Sequence, residues 1–246
     1  MIDLKENLLI PLIPCPLVQP PLILVPRKNN KFICKDIWDV ENSFHLYFIP
    51  SRIKKIICHY EIFKKTLKVP GSIIECGVFK GNSLIRFLIY RDLITKSSKK
   101  SIYGFDAFGK FPKQEIVEDN RFAKDHDKNI GEGIRLTELN FNLKKKFKNF
   151  FLIKGKVEKT IPILLNKKPK IKISLLHIDL DVYEPTKFVL EKLYNKVSKG
   201  GIILLDDYGQ VPGATRATKK FFKDKKIKLK IQTLSFDKRL KFIEKK

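Results

Sequence analysis

Residues 175–209 read LLHIDLDVYEPTKFVLEKLYNKVSKGGIILLDDYG and carry four aspartates in two pairs, Asp179 with Asp181 and Asp206 with Asp207. Each pair sits where an apolar run stops. The runs 173–178 and 202–205 are too apolar to be wetted on either face, as buried parallel strands are. Between them Pro185 suits the first turn of a helix, and Phe188, Leu190, Leu193 and Val197 give that helix an apolar face. Gly200 and Gly201 then read as its end. A strand–helix–strand crossover makes the two strands parallel, so their carboxyl ends share one edge of the sheet. That edge is where open α/β sheets bind ligands. Four carboxylates there repel one another unless a cation lies between them. Hard oxygen donors at this density suit magnesium, calcium or manganese. The bland alternative is that the aspartates only cap helices and fill turns.

Length and composition bound the rest. A chain of 246 residues, 43% hydrophobic and 31% charged, supports one α/β domain with an extension. The formal charge of +25 invites a nucleic-acid reading. Lysine carries nearly all of the excess, however, and it is spread from end to end rather than gathered with arginine, the residue that suits phosphate and guanine. No specific nucleic acid is therefore expected. Cys15, Cys34, Cys58 and Cys76 have no metal-like spacing, and reduced thiols in a cytoplasm are the default. His45, His59, His126 and His177 form no ligand motif. Residues 8–26, LLIPLIPCPLVQPPLILVP, are apolar, but six prolines forbid a continuous membrane helix. The stretch reads as an extended arm packing on the body or on a second subunit, giving a possible homo-oligomer.

In chain order, residues 52–67 have a helical period, with Ile53, Ile56, Ile57, Tyr60, Phe63 and Leu67 on one face and Ser51 as cap. Val69-Pro70-Gly71 stops it. This places the division at 1–70, a proline-rich arm and helical cap, and 71–246, the ligand-binding body. A strand over 72–75 leads into Cys76-Gly77-Val78-Phe79-Lys80-Gly81-Asn82-Ser83 and a helix over 84–94. An acid, Glu75, followed by G-x-x-x-G at a helix start is a phosphate- or nucleoside-binding layout, weak by itself. The next strand, 101–105, ends in Asp106, placed to meet ribose hydroxyls. Residues 107–135 lack a period and read as a lid. A helix over 136–147, a strand over 150–153, and a helix started by Thr160 and Pro162 follow. Beyond the second aspartate pair comes a helix over 214–222. The tail, 226–234 and 239–244, reads as an antiparallel hairpin.

The blocks ECGVFKGNS (75–83), YGFDAFGKFP (103–112), HIDLDVYEPT (177–186), LLDDYG (204–209) and PGATRATKKFF (212–222) together resemble the macrocin O-methyltransferase family. The resemblance covers about 70–246. It implies a Rossmann-like class I methyltransferase: a mostly parallel seven-stranded sheet with a C-terminal antiparallel hairpin. It also implies two cofactors, S-adenosylmethionine and Mg2+ or another hard divalent cation, and methylation of a sugar hydroxyl on a glycoside or saccharide. By the same resemblance Asp179, Asp206 and Asp207 hold the metal and Asp181 is the general base. Glu75, Gly77, Val78, Gly81, Ser83 and Asp106 bind the cofactor, Asp106 at its ribose. The chain departs from the family at Phe79-Lys80, where tryptophan and arginine are common, and at 108–112, beside the cofactor and substrate.

Such an enzyme makes chemical sense of four acids. A sugar hydroxyl ionises far above neutral pH, so an ion that acidifies it and a carboxylate that takes its proton are both useful. Three rivals remain: a catechol-type O-methyltransferase, a basic nucleic-acid-binding protein or RNA methyltransferase, and a relic that binds cofactor without catalysis.

Overall fold

The computed structural model describes residues 37–46, 49–95 and 99–246, so the proline-rich arm lies outside the described residues. The chain divides into two units, 1–49 and 50–246. Helix α1 (Ile37–Leu46) belongs to the first and carries the exposed Trp38. The division falls at residue 50 rather than 70 because helix α2 (Pro50–Lys65) buries Cys58, His59, Ile62 and Phe63 against the body.

The second unit is built on strands β1 (Ser72–Cys76), β2 (Ile102–Asp106), β3 (Phe150–Lys154), β4 (Ile173–Ile178), β5 (Val197–Leu205), β6 (Gln232–Leu234) and β7 (Asp237–Glu244), in the order β3-β2-β1-β4-β5-β7-β6. The first five are parallel, and β7 runs antiparallel to both β5 and β6. This is the expected Rossmann-like sheet with a C-terminal hairpin. The helices are α3 (Asn82–Thr95), α4 (Val117–Asn129), α5 (Leu136–Lys144), α6 (Val157–Lys167), α7 (Tyr183–Leu193) and α8 (Pro212–Asp224). All six residues of β4 are buried, so its side chains feed two cores by alternation. Leu176 and Ile178 join Ile161 of α6, Leu190 of α7 and Phe221 of α8, while Leu175 joins Phe63 of α2, Phe87 of α3 and Leu139 of α5.

Several local expectations shift. Gly200 and Gly201 do not end α7, which stops at Leu193. They lie within β5, whose pairing jumps from Val197 to Ile202 opposite Ile173 and Leu175. Gly200 takes φ +75°, a conformation glycine adopts without strain, so the pair serves a bulge rather than a cap. The lid segment contains α4, hidden from periodicity because only Asp119 and Ala123 of that helix are buried. Pro162 lies inside α6, and Ser51 lies inside the first turn of α2 instead of capping it. The tail pairs only from Gln232 onward, so residues 226–231 are not strand.

At the end of the sheet away from the aspartates, Arg91 is fully buried. It donates to the carbonyls of Lys148, Asn149 and Lys100 at 2.7–3.1 Å and to Asp92 at 2.6 Å. The guanidinium thus ties together the chain entering β2 and β3. Arg91→Leu leaves those part-buried carbonyls without their donor, and denaturant unfolding is expected to show a loss of about 1–3 kcal/mol.

Candidate active site

Register assembles the site before any side chain is considered. Cys76, Ile178 and Leu205 pair across β1, β4 and β5, so Gly77, Asp179 and Asp206 leave three adjacent strands at one level. Backbone bonds hold that level: Asp179 N donates to Cys76 O at 2.9 Å and Asp206 N to Ile178 O at 3.1 Å. This junction between β1 and β4 is where the strand order reverses, the usual crevice of such sheets.

Gly77 is required here twice over. Its φ is +93°, and a β-carbon would run into the Asp179 carbonyl oxygen. Past it, Asp106 pins the loop: Oδ2 accepts from the amides of Val78 at 2.8 Å and Phe79 at 2.9 Å, and Oδ1 accepts from Phe108 N at 2.5 Å. Phe79 and Phe108 hold left-handed conformations at φ 50° and 53°, strain that these bonds retain. Asp106 is therefore the anchor of the glycine loop as well as an acid at the strand end. Gly81 closes the turn by donating to Val78 O at 2.8 Å, and α3 follows. Glu75 is fully buried; its Oε1 accepts the Ser83 hydroxyl, and its Oε2 has no partner among the described residues. An orphaned buried acceptor beside a loop opened and closed by Gly77 and Gly81 fits a ligand that brings a cationic group to Glu75 and packs on the loop, as the expected cofactor does through its ammonium group.

The two adjacent acids at the end of β5 part company because consecutive residues alternate. Asp206 follows Leu204 toward α2 and α3. There Lys55 donates to its Oδ2 at 2.7 Å, and His177 Nε2 stands 3.7 Å from its Oδ1. His177 is level with Glu75 on the neighbouring strand, and its Nδ1 stands 3.5 Å from Glu75 Oε1. At those distances the ring lies between two carboxylates in ion-pair contact without a closed hydrogen bond to either. Burial works against its charge, but Asp206 and Glu75 win, and its pKa is pushed up to about 10. Burial likewise opposes ionisation of Asp206, yet Lys55 and then His177 hold its carboxyl below the usual range. His59 stacks on Phe87 at 5.3 Å and meets His177 edge-on at 5.4 Å; burial and the His177 charge keep it neutral.

Asp207 takes the opposite face and accepts from Asp181 N at 2.8 Å. Asp181 sits at φ +62°, and its carbonyl accepts from Ala214 N at 3.1 Å. Asp119, buried on α4, accepts from Tyr183 N at 2.7 Å, so the lid helix braces the same turn. Asp179, Asp181 and Asp207 each bring an oxygen within 4.8 Å of the others. That separation is about twice a hard-cation–oxygen bond, so one ion can reach all three. Burial, and then neighbouring carboxylates, raise the proton affinity of each. The same crowding favours a cation. His59, His177 and Asp206 also approach within 4.8 Å, but the charged His177 and the Lys55 ion pair disfavour a cation in that position.

The structure thus gathers Asp179, Asp181 and Asp207, and leaves Asp206 at the same edge but turned to Lys55. Sequence reading missed Lys55, His59, His177 and Asp119. The inward face of α2 was read one step off: Ile57 and Tyr60 are 45% and 37% exposed, whereas His59, four residues after Lys55, is fully buried. The signal available for His177 was its place two residues before Asp179 on a buried strand.

A family model described as Macrocin-O-methyltransferase (TylF) matches residues 52–239. The chain is 28% identical over 158 residues to demethyldecarbamoylnovobiocin O-methyltransferase of Streptomyces niveus, covering 58% of this chain and 55% of that protein. Mycinamicin III 3''-O-methyltransferase of Micromonospora griseorubida matches at 26% over 152 residues, 57% and 56% of the two chains. The 8-demethyl-8-(2,3-dimethoxy-alpha-L-rhamnosyl)-tetracenomycin-C 4'-O-methyltransferase of Streptomyces olivaceus matches at 27% over 149 residues, 57% and 54%. The chain therefore spans about half the length of the curated relatives it matches. Among solved structures, the O-methyltransferase NovP aligns with TM-score 0.68 at 22% identity over 78% of this chain and 80% of its own. CalS11, a calicheamicin methyltransferase, aligns with TM-score 0.66 at 23% identity over 86% of each chain. These two likenesses show the fold.

The glycine loop gives this geometry its sharpest test. Gly77→Ala is expected to destabilise the unit by at least about 1–2 kcal/mol, the cost of a left-handed residue before the collision is added. Gly109→Ala, where nothing lies within 4 Å, is expected to change denaturant unfolding little.

Proposed function

Because this chain belongs to the Macrocin-O-methyltransferase (TylF) family, we propose that it transfers a methyl group from S-adenosylmethionine to a sugar hydroxyl with the help of a divalent cation. The observation that carries the reading is the meeting of four carboxylates with a glycine loop at one switch point of the sheet. The relatives' names support the acceptor class, since one of them is a methyltransferase of a rhamnosyl-bearing tetracenomycin.

Bound S-adenosylmethionine supplies an electrophilic methyl group, and a bound divalent ion supplies the charge that acidifies an acceptor hydroxyl. Asp179 and Asp207 would hold the ion, with Asp206 as third ligand in place of its present contact with Lys55. Asp181 accepts the hydroxyl proton as the oxygen takes the methyl group. Its raised proton affinity suits a base working near neutral pH, and its left-handed backbone, braced from Asp207 and Ala214, fixes where the carboxylate stands. Glu75 offers its unpartnered oxygen to the cofactor's ammonium group, and Gly77, Val78, Gly81 and Ser83 line the approach. Asp106 holds that loop and presents its remaining lone pairs to the ribose hydroxyls. Alignment of acceptor and methyl donor supplies ~7–11 kcal/mol without a covalent enzyme intermediate. Two further expectations stand with this proposal: that residues 1–26 form an arm for packing or self-association, and that the enzyme works in a cytoplasm. Among the described residues no helix is long and apolar enough to cross a membrane.

Substitution at the four acids separates their roles. Asp181→Asn is expected to keep ion and cofactor affinity in calorimetry while kcat falls roughly 10²–10⁴-fold. Asp206→Asn and Asp207→Asn are expected to weaken ion binding, with activity partly restored at high magnesium. Loss of the ion from Asp181→Asn, with retention in Asp206→Asn, would overturn the assignment. Turnover of simple catechols in preference to glycosides would overturn the acceptor class.

A further inference from the structure

We propose that Lys55 is a built-in competitor for the catalytic ion: its ammonium group and a divalent cation contend for the carboxylate of Asp206. The inference rests on the ion-binding role of Asp206 given above and goes beyond it by assigning a residue that tunes ion affinity.

Three observations converge on Lys55. It extends from α2 to the site, with its Nζ 2.7 Å from Asp206 Oδ2 and its side chain only 28% exposed. Among the described residues its ion pair is with Asp206 alone, so it is not shared with a carboxylate elsewhere on the surface. The acids that favour its charge are Asp206, Asp179 and Asp207, the three assigned to the ion. An ammonium group therefore already sits in the field that the ion would enter. His177 is on the same side of Asp206 and adds a second positive group, but it belongs to the sheet and is walled in by His59, Phe87 and Glu75. Lys55 has a flexible four-carbon stem on an outer helix, and it alone of the two can swing out.

The consequence is an exchange. An ion that takes Asp206 must displace the ammonium group, and the energy of the lost pair is subtracted from ion affinity. A divalent ion wins because it engages several carboxylates at once, whereas one lysine engages a single carboxylate. Lys55 thereby weakens holding of the ion and biases the site against weakly charged cations. A purely structural salt bridge predicts the opposite sign. If Lys55 only positioned Asp206, its removal would leave that carboxylate misplaced and ion binding weaker.

The test is titration of Mn2+ and Mg2+ into the full chain without acceptor, read by calorimetry and by the electron spin resonance signal of free Mn2+. Lys55→Met and Lys55→Gln are both expected to bind the ion roughly 10–100-fold more tightly than the parent. That range is the cost of giving up one charge-assisted hydrogen bond, because the displaced ammonium group swings into water, where its repulsion with the bound ion is screened. Lys55→Arg and the neighbouring Lys54→Met are expected to stay near the parent value. The neutral variants are expected to unfold at a lower temperature without ion and to gain more on ion addition than the parent does. Unchanged or weaker binding in both neutral variants, with the parent binding normally, overturns the competitor role and leaves the ion site standing. No ion binding by the parent or any variant removes the ion reading itself, and the proposal with it.

Discussion

Like charges forced together at one edge of a sheet are the constraint on which this structure turns. Parallel register delivers Asp179 and Asp206 to a single level, and chain continuity adds Asp181 and Asp207. Alternation along β5 then divides the load between two faces. On the α2 side Lys55 and His177 supply positive charge to Asp206. Asp207, on the other face, receives only a backbone amide among the described residues, and Asp179, Asp181 and Asp207 share the deficit. The protein thus neutralises part of the cluster with its own cations and leaves the rest for a ligand.

How much of this could be read in the letters follows from what each signal depends on. The strand–helix–strand crossover and the two acidic strand ends were legible because apolar runs and chain order encode them directly. That Asp206 and Asp207 face apart was implicit in strand alternation, but its meaning needed the identity of the neighbours on each face. Lys55 and His59 escaped because α2 has apolar residues on more than one side, so hydrophobicity alone cannot choose which side turns inward. Helix α4 escaped because it buries little, and a helix that lies over a site has no reason to show an amphipathic stripe. Gly200 and Gly201 misled because two glycines signal a departure from regular backbone without saying which kind.

The glycine loop shows how local strain and binding chemistry are joined. A β-carbon is forbidden at Gly77 by the Asp179 carbonyl, so the methyl-donor side and the ion side of the proposed site share a backbone contact. Asp106 keeps Phe79 and Phe108 in conformations that neither residue prefers. A ligand on this loop meets a surface already held in shape.

The bond from Tyr183 to Asp119 carries a consequence for recombination among related chains. Gly213 has no side chain where Asp119 Oδ1 would stand 2.6 Å from a β-carbon, so the carboxylate, the amide it receives and the glycine form one three-part joint. A graft of the segment around α4 carries position 119 with it. A donor segment lacking an acid at this position would arrive without its half of the joint. A donor chain with a larger residue at 213 would reject the acid. Successful chimaeras should therefore inherit residues 119 and 213 as a pair, though 94 positions separate them in the sequence.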